Sequence, residues 1–288
     1  MFRLAYFLFA LATFLSGCPS RSQAQSSQRI VSLNGTVTEI LCELGLQNQI
    51  VGTDVTSTYP EAMAKSPKVG HNRNIGAEAV LALRPTIIIG TKTNGSMDVK
   101  PEVIQQFRSA SVKTVFLDQT STVAGAKDLI NKVAATFGVS AKAPALVKKI
   151  DADLTKVRKP AKVQKVLFIY ARGAGTLMVA GQDTPIENII KLAGGTNAAT
   201  GFTSFKPLTP EALLAANPDV LLLFTSGLES LGGIDGLLKV PGIAQTNAGR
   251  NRNVIDMDGQ LLTGFSPRLG QAVQQLSQKL TAELSMNK

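Results

Sequence analysis

The sequence predicts an α/β protein with two Rossmann-like α/β lobes joined by one long backbone helix. Two observations lead to this fold class: a continuous helical pattern over residues 140–159, and a helix-Pro-strand motif that occurs once on each side of it. The expected lobes are residues 29–139 and 160–288. A folded part of about 260 residues lies near the upper limit for one hydrophobic core, which also favours two lobes.

The predicted backbone helix has one apolar face and one charged face. Its apolar residues recur at spacings of three and four, which places them on one side of a helix. At 1.5 Å per residue such a helix is roughly 30 Å long, about the width of a small domain. Pro160 ends it because proline lacks the backbone donor and clashes with the preceding turn. The apolar residues are Leu146, Val147, Ile150, Leu154 and Val157.

A repeated motif lies on the two sides of this helix. Residues 78–89 read Glu-Ala-Val-Leu-Ala-Leu-Arg-Pro-Thr-Ile-Ile-Ile, and residues 211–222 read Glu-Ala-Leu-Leu-Ala-Ala-Asn-Pro-Asp-Val-Leu-Leu. Each copy predicts a short helix, a break at the X-Pro step and a buried strand of the parallel type. The repeat favours two similar lobes, with two unrelated βαβ units in one sheet as the alternative.

The N-terminal residues have the pattern of an export signal followed by a tether. An arginine precedes an apolar run over residues 4–15, which is too short for a transmembrane helix and typical of a secretory signal. Leu-Ser-Gly-Cys then ends at Cys18 and is similar to the bacterial lipoprotein signal, whose cysteine is lipidated and becomes the N-terminus. Cleavage near Ala24 is the alternative. We therefore interpret residues 1–18 as the signal and residues 19–28, rich in Ser and Gln, as a flexible tether of an exported protein.

The charge balance limits the classes of partner. The chain has 30 Lys and Arg against 20 Asp and Glu, a formal net charge of +10. Dispersed lysines, an aromatic content of 5% and the export signal argue against a nucleic-acid partner. Anionic small molecules or membrane surfaces are expected instead. Cys42 has apolar neighbours and is expected to be a small core residue.

Catalytic motifs are sparse in this chain. His71 is the only histidine, and no Ser/His/Asp or Cys/His set can be assembled around it. Gly173 and Gly175 begin a pattern like the dinucleotide-binding fingerprint, but Met178 stands in place of its third glycine. The motifs by themselves therefore give no catalytic set and disfavour nucleotide binding. An exported oxidoreductase is the alternative from another functional class.

The most specific polar segment is a loop that follows a predicted strand and ends at Tyr59 and Pro60. It reads Val-Gly-Thr-Asp-Val-Thr-Ser-Thr-Tyr-Pro over residues 51–60. In α/β lobes ligands bind at the carboxyl ends of strands, so this loop should face a cleft. A tyrosine phenolate can hold the ferric iron of a heme, as in catalases. A half-buried packing tyrosine is the other interpretation, and position alone favours it.

Motifs spread over almost the whole chain decide between these interpretations. In the first half they are Arg-Ile-Val-Ser-Leu-Asn-Gly-Thr from residue 29, Ser-Thr-Tyr-Pro from residue 57, and Lys-Val-Gly from residue 68 with Arg73 beyond it. In the second half they are Tyr-Ala-Arg-Gly from residue 170, Ala-Gly-Gly from residue 193, Lys-Pro-Leu-Thr from residue 206 and Leu-Thr-Gly-Phe-Ser-Pro-Arg from residue 262. In these motifs the chain resembles the periplasmic hemin-binding proteins of bacterial heme ABC importers. Their structural class, which has a single helix between the lobes, also includes the vitamin B12 and siderophore binding proteins.

The resemblance implies a heme site built around Tyr59. In this family Tyr59 corresponds to the axial ligand of the heme iron, and cationic side chains surround it. Arginine suits the heme propionates because its planar fork can bond both carboxylate oxygens. The residues implied for the propionates and the pocket are Arg73, Arg172, Arg268, His71 and Tyr170. Arg172 stands where some relatives carry a histidine, so neither a second axial ligand nor a second stacked heme is predicted.

The resemblance also implies a delivery function. Members of the family present one acidic residue from each lobe to arginines of an inner-membrane permease, and Glu78 and Glu211 hold these places in the repeat. Glutamate in a first helical turn is also favoured by the helix dipole, which is the structural alternative. The implied protein is a periplasmic, lipid-anchored monomer that binds heme and delivers it to an ABC permease and its ATPase. A corrinoid or a ferric siderophore is the alternative ligand.

Overall fold

The computed structural model describes most of the chain. It covers residues 28–286 apart from 72–73, 94–95 and 98. The signal, the lipidation predicted at Cys18 and the pocket role predicted for Arg73 therefore lie outside the described residues.

The N-terminal lobe is built on a mixed sheet. Its strands are β1 (Ile30–Ser32), β2 (Ile50–Thr53), β3 (Ile87–Thr93), β4 (Ser96–Met97) and β5 (Lys113–Asp118). Four of these strands are parallel and lie in the order β2-β1-β3-β5, while β4 pairs antiparallel with the end of β3. The sheet thus aligns the carboxyl ends of its parallel strands along one edge.

The C-terminal lobe repeats this arrangement. Its strands are β6 (Lys165–Ala171), β7 (Leu177–Ala180), β8 (Thr196–Asn197), β9 (Phe205–Pro207), β10 (Val220–Phe224) and β11 (Val254–Met257). The parallel strands lie in the order β8-β6-β10-β11, which corresponds position by position to the order in the first lobe. Strand β7 pairs antiparallel with β6, and β9 with β7. The predicted fold class, with two α/β lobes, is confirmed.

Helices cover these sheets, and side-chain caps start several of them. Asn34, Thr122, Thr184, Thr209 and Asp258 each accept hydrogen bonds from backbone N–H groups of the first helical turn. No helix in the described ranges is both long and apolar enough to cross a membrane. The α-helices are α1 (Gly35–Glu43), α2 (Glu61–Ala64), α3 (Ala77–Leu81), α4 (Pro101–Ser109), α5 (Val123–Thr136), α6 (Ala143–Leu154), α7 (Pro185–Leu192), α8 (Pro210–Ala216), α9 (Thr225–Ser230), α10 (Gly233–Leu237), α11 (Asn247–Asn251), α12 (Gly259–Thr263) and α13 (Leu269–Met286).

The repeated sequence motif forms equivalent elements in the two lobes. Helices α3 and α8 precede β3 and β10, and each of these strands has a parallel neighbour on both sides. Burial on both faces explains why the two strands are almost continuously apolar. The residues before the prolines, Arg84 and Asn217, both have left-handed backbone conformations, with φ of 47° and 37°. The repeat therefore extends to the backbone conformation of the X-Pro step.

The helix between the lobes is shorter than the sequence pattern predicts. The α-helix α6 covers Ala143–Leu154, whereas the prediction was 140–159. A 3-10 turn over Ser140–Lys142 precedes it, and after it the N–H of Val157 bonds to the carbonyl of Leu154 in another tight turn. Pro160 disfavours helical conformation in the residue before it, so the chain leaves the helix early. The predicted apolar face does pack inward: Leu146 and Ile150 are buried, and Val147, Leu154 and Val157 pack against the core.

One hydrophobic core extends through the two lobes and the helix between them. It contains Ile30 and Ile89 from the first sheet, Phe168 and Leu222 from the second, and Ile150 of α6. Helix α13 also packs along α6, so the connection is a layer of helices rather than one isolated rod. Because this core is continuous, the two lobes share buried apolar surface that stabilises their relative position.

Cys42, expected in the core, is half-buried and lies beside acidic residues. Burial, followed by the negative charges of Glu39 and Glu43, raises the pKa of its thiol from 9.0 to about 12. The reactive species is the thiolate, and a raised pKa keeps the protonated thiol dominant until the pH approaches that value. Cys42 is therefore expected to be inert at neutral pH.

Thiol labelling tests this expectation. A Cys18→Ser variant leaves Cys42 as the sole thiol. At pH 8 the folded variant should react slowly with a disulfide reagent such as Ellman's reagent, and react rapidly after unfolding in guanidinium chloride. Equal rates in the folded and unfolded protein would contradict the raised pKa.

Candidate functional site

A cavity of about 630 Å³ lies between the two lobes. This volume is within the range of about 300–1,000 Å³ that is usual for small-molecule sites. Its walls come from positions at or just after the ends of parallel strands, as expected for α/β lobes. These positions are Asn34 after β1, Thr93 in β3, Gln119 after β5, Tyr170 in β6, Phe224 in β10 and Asp258 after β11.

The cavity walls are mixed in character. Amide and hydroxyl groups dominate on the N-terminal side, where Thr36, Thr56 and Thr58 line the cavity. The C-terminal side contributes two aromatic rings, Tyr170 and Phe224, in edge contact with ring centres 6.1 Å apart. Among the described residues, no group of three or more His, Cys, Asp or Glu side chains could hold a metal ion. The lining therefore offers a ligand both polar groups and apolar ring surface.

The loop that carries Tyr59 is anchored by a buried carboxylate. Asp54 follows β2 and is fully buried. Its carboxylate accepts hydrogen bonds from the backbone N–H of Thr56 at 3.2 Å, from the Thr56 hydroxyl, and from the Ser57 hydroxyl at 2.7 Å. A buried carboxylate is stable only when such donors compensate its lost hydration. These bonds fix the start of the loop, and Thr58, the next residue, lines the cavity.

Lys68 fixes the same loop from another direction. Its ammonium group donates to Thr53 Oγ1 at 2.9 Å, to the Ser57 carbonyl at 2.7 Å and to the Met63 carbonyl at 2.8 Å. Burial lowers the pKa of Lys68 from its ordinary value, while the charge of Asp54 acts in the opposite direction. Because an ammonium group has three N–H donors, these contacts use its full capacity. Lys68 thus acts as a structural clamp on the loop.

The ring of Tyr59 is held against Arg268. Tyr59 keeps 37% of its surface exposed, and the guanidinium carbon of Arg268 lies 3.5 Å from its ring centre. This is a cation–π contact, which is attractive because the ring face carries negative charge density. Arg268 lies just before α13, so Tyr59 of the first lobe is contacted by a residue from the C-terminal part of the chain.

The charge of Arg268 is matched by a buried glutamate. Arg268 Nη2 donates to Glu39 Oε2 at 2.9 Å, and the side chain of Glu39 is fully buried. The other carboxylate oxygen accepts from the Ser266 hydroxyl at 2.6 Å. The Nε of Arg268 is buried without a hydrogen-bond partner in the described part of the chain. This geometry differs from the propionate role predicted for Arg268, because its positive charge is already committed to Glu39.

Removing this arginine should strongly destabilise the unliganded protein. Arg268→Met leaves the buried Glu39 carboxylate without its counter-charge, which typically costs about 3–5 kcal/mol. The matched control is Arg252→Met, because the pair of Arg252 with Asp235 is exposed, at 54% and 80%, and such pairs contribute about 0–1 kcal/mol. Urea unfolding of the two variants measures the difference.

A double variant separates charge from packing. Glu39→Gln combined with Arg268→Met removes both charges, so the double variant should recover much of the lost stability. Equal unfolding free energies for Arg268→Met and Arg252→Met would contradict the interpretation of a buried ion pair.

The other predicted pocket residues occupy different positions. His71 and Tyr170 line the cavity. Arg172 is exposed, and its guanidinium carbon lies 6.0 Å from the ring centre of Tyr170, at the rim of the cavity rather than in its wall. Arg73 lies among the residues that are not described. His71 and Tyr170 therefore lie in the cavity wall. Tyr59 and Arg268 contact each other outside the lining, and Tyr59 adjoins it through the neighbouring Thr58 and a hydrogen bond to Gln260.

Glu78 and Glu211 occupy equivalent positions. Each is the second residue of its helix, α3 or α8, and each is exposed. Neither lines the cavity. The repeat in sequence therefore places one accessible carboxylate at the same structural position in each lobe.

Two residues that support the site, Glu39 and Gln260, were not predicted from the sequence. Glu39 lies on α1 in an apolar context, and a buried charge could have been suspected from that context. Gln260 follows β11 in the segment Asp-Gly-Gln. Because ligands bind at the carboxyl ends of strands, this segment could be expected near the cleft, but the partner of Gln260 could not be predicted. Gln260 contacts Tyr59 and Thr58 of the tyrosine loop, which lie 201 and 202 positions earlier in the chain.

Comparisons with solved structures agree with this geometry. The chain is similar to the periplasmic heme-binding protein RhuT from Roseiflexus sp. RS-1 in its apo form, with 39% identity, a TM-score of 0.84, and coverage of 89% of this chain and 99% of that one. It is also similar to the periplasmic heme-binding protein BhuT in complex with two hemes, with 36% identity, a TM-score of 0.83, and coverage of 89% and 99%.

Sequence comparisons point to the same group of proteins. The ABC transporter substrate-binding lipoprotein YvrC of Bacillus subtilis (strain 168) is 28% identical over 88% of this chain and 80% of its own length. The vitamin B12-binding protein of Vibrio vulnificus (strain CMCP6) is 23% identical over 88% of this chain and 90% of its own length. Residues 30–261, which include both sheets and most of the residues that line the cavity, match the periplasmic binding protein family. The chain belongs to the periplasmic binding protein family.

Proposed function

We propose that this protein binds heme in the cavity between its lobes and delivers it to an inner-membrane ABC importer. The observation that carries the proposal is the position of Tyr59, which is partly exposed and directly follows the cavity-lining residue Thr58 on a loop anchored by Asp54 and Lys68. A tyrosine oxygen is an established ligand of ferric heme. The names of the similar solved structures, RhuT and BhuT, support the same ligand class.

In this proposal the aromatic walls of the cavity contact the porphyrin. Tyr170 and Phe224 offer apolar ring surface, and His71 lies in the same lining. Tyr59 provides the iron ligand, and Arg268 fixes the face of its ring at 3.5 Å. The heme itself supplies the iron coordination site, while the residues of the chain bind and orient it.

The propionates require cations whose charge is free. Arg172 is exposed at the rim, beside Tyr170, and fits this role. Arg73 is a further proposed partner on the basis of its sequence position. Arg268 is assigned instead to positioning Tyr59, because Glu39 neutralises it in a buried pair.

Delivery needs a docking surface and an anchor. Glu78 and Glu211 provide one exposed carboxylate per lobe for basic residues of the permease. Cys18 is the proposed lipidation site, and residues 19–28 the tether to the membrane. The similarity to the lipoprotein YvrC supports the anchor, and membership of the periplasmic binding protein family supports a periplasmic location. In this proposal the protein acts as a monomer and catalyses no reaction.

A corrinoid is the second candidate ligand. It is favoured by the similarity to the vitamin B12-binding protein of Vibrio vulnificus, which covers 88% of this chain. The two ligands differ in whether they require Tyr59 as a ligand, since only ferric heme with an open axial position needs a phenolate ligand in this pocket.

Visible absorption spectroscopy tests the proposal. The purified protein mixed with hemin should give a high-spin ferric spectrum with a phenolate-to-iron charge-transfer band and a saturable titration. The same protein mixed with cyanocobalamin should show no saturable change. Tight cyanocobalamin binding together with a spectrum of unbound hemin would assign the site to the corrinoid and reject heme.

A further inference from the structure

Gln260 connects the C-terminal lobe to the loop that carries Tyr59. It lies on α12, which follows the edge strand β11. Its side-chain oxygen accepts three hydrogen bonds: from the backbone N–H of Thr58 at 2.9 Å, from the Thr58 hydroxyl at 2.9 Å and from the backbone N–H of Tyr59 at 3.0 Å. Three donors around one atom identify that atom as the amide oxygen.

The amide nitrogen of Gln260 is bonded to the first lobe as well. Nε2 donates to the Gly35 carbonyl at 2.9 Å and lies 3.5 Å from Glu39 Oε2. The contact with Gly35 is close: a Cβ atom at that position would lie 2.8 Å from the Thr56 carbonyl oxygen and 3.2 Å from Gln260 Cδ. A glycine at position 35 therefore gives the Gln260 amide the space to lie between α1 and the tyrosine loop.

The hydrogen bonds to Gln260 hold the loop at Tyr59, the proposed iron ligand. Asp54 and Lys68 hold the loop as far as Ser57. At Tyr59 the backbone N–H donates to Gln260. Arg268, which covers the Tyr59 ring, is also attached to the C-terminal part of the chain. Both the backbone and the ring of Tyr59 are thus positioned by residues outside the lobe that carries the loop.

We propose that Gln260 is a positioning residue that sets Tyr59 for iron ligation and makes this ligation depend on the spacing between the lobes. The inference rests on the proposed heme function. When the lobes separate, α12 withdraws the amide from Thr58 and Tyr59, and the iron ligand loses its fixed position. Separation of the lobes by a docked permease would then promote heme release directly at the iron ligand.

A pair of variants at inter-lobe hydrogen bonds tests this role. Gln260→Met keeps the length of the side chain but removes the acceptor and the donor. The matched control is Asn188→Leu, because Asn188 lies on α7 outside the cavity lining and its Nδ2 donates across the lobes to the Ser121 carbonyl at 2.9 Å. In the described part of the chain, the Asn188 side chain makes no hydrogen bond to residues 54–60.

Each full-length variant is loaded with hemin and compared with the wild type in two measurements. The first is the phenolate-to-iron charge-transfer band, and the second is the rate of heme transfer to excess apomyoglobin. Gln260→Met should shift or weaken the band and release heme about 10-fold faster or more, as is usual when the support of a metal ligand is lost. Asn188→Leu should keep the wild-type band and rate, although both variants lose inter-lobe hydrogen bonds.

Gln260→Asn provides a second test if the methionine variant folds poorly. It remains polar, but its amide is one methylene too short to reach the loop, so it should change the band and the rate in the same direction. Wild-type spectra and release rates in a folded Gln260 variant overturn the inference. Equal changes in the Gln260 and Asn188 variants also overturn it. Absence of the phenolate band from the wild type is a different result, since it rejects the proposed heme function itself.

Discussion

Tyr59→Phe should abolish the phenolate-to-iron charge-transfer band of the heme complex and weaken heme binding by more than about 100-fold. The substitution removes only the oxygen, and the ring remains to pack against Arg268, which lies 3.5 Å from its centre. Loss of residues that merely support a metal ligand costs about 10–100-fold in affinity, so loss of the ligand should cost more. Visible spectra and hemin titrations measure both effects.

Tyr170→Phe is the matched control for this experiment. Tyr170 lines the same cavity and contacts Phe224 edge to ring, with centres 6.1 Å apart. Because its ring carries that contact, removal of its hydroxyl should leave the charge-transfer band in place. An unchanged spectrum in Tyr59→Phe, or loss of the band in Tyr170→Phe alone, would reject Tyr59 as the iron ligand.

The double substitution Glu78→Ala and Glu211→Ala should keep full heme binding and eliminate heme delivery through the importer. The two carboxylates are exposed, occupy the second position of α3 and α8, and lie outside the cavity lining. Exposed ion pairs contribute only about 0–1 kcal/mol each, so docking should be weak and should weaken further as salt increases. Heme-dependent growth of the native bacterium and hemin titration measure the two functions separately.

A control for this experiment must change the charge equally. Glu102→Ala with Asp235→Ala also removes one exposed first-turn carboxylate from each lobe, on α4 and α10. The helix-dipole effect and the net charge are therefore matched. The control also breaks the exposed pair of Asp235 with Arg252, which contributes only about 0–1 kcal/mol. Normal heme delivery by the Glu78/Glu211 variant, or an equal loss of delivery in the control variant, would reject the docking role. The two glutamates would then only stabilise the first turns of their helices.

The sequence by itself determined the repeat and the type of each lobe. The copies at 78–89 and 211–222 combine an X-Pro step with a strand that is apolar on both faces, and this local chemistry permits few structures. The same local reasoning predicted the inward face of the central helix, including Leu146 and Ile150. It overestimated the length of that helix because helical periodicity continues in the sequence after the backbone has begun to turn toward Pro160.

For the candidate site, the sequence predicted the segment but not its partners. The rule that ligands bind at strand ends placed the Tyr59 loop at the cleft, since it needs only the order of strands and loops. The propionate role expected for Arg268 came from family resemblance, and the structure pairs this arginine with Glu39 instead. An arginine has the same appearance in a sequence whether its counter-charge is a ligand or a buried carboxylate.

Only the tertiary structure decided which polar groups meet between the lobes. Glu39 and Arg268 are 229 residues apart in the chain, and Gln260 and Tyr59 are 201 residues apart. Local propensity and periodicity act over a few residues, so they carry no signal for such pairs. The pairing follows from the packing of α1, α12 and the segment before α13 around one continuous core, where exclusion of water strongly favours partners for buried polar groups.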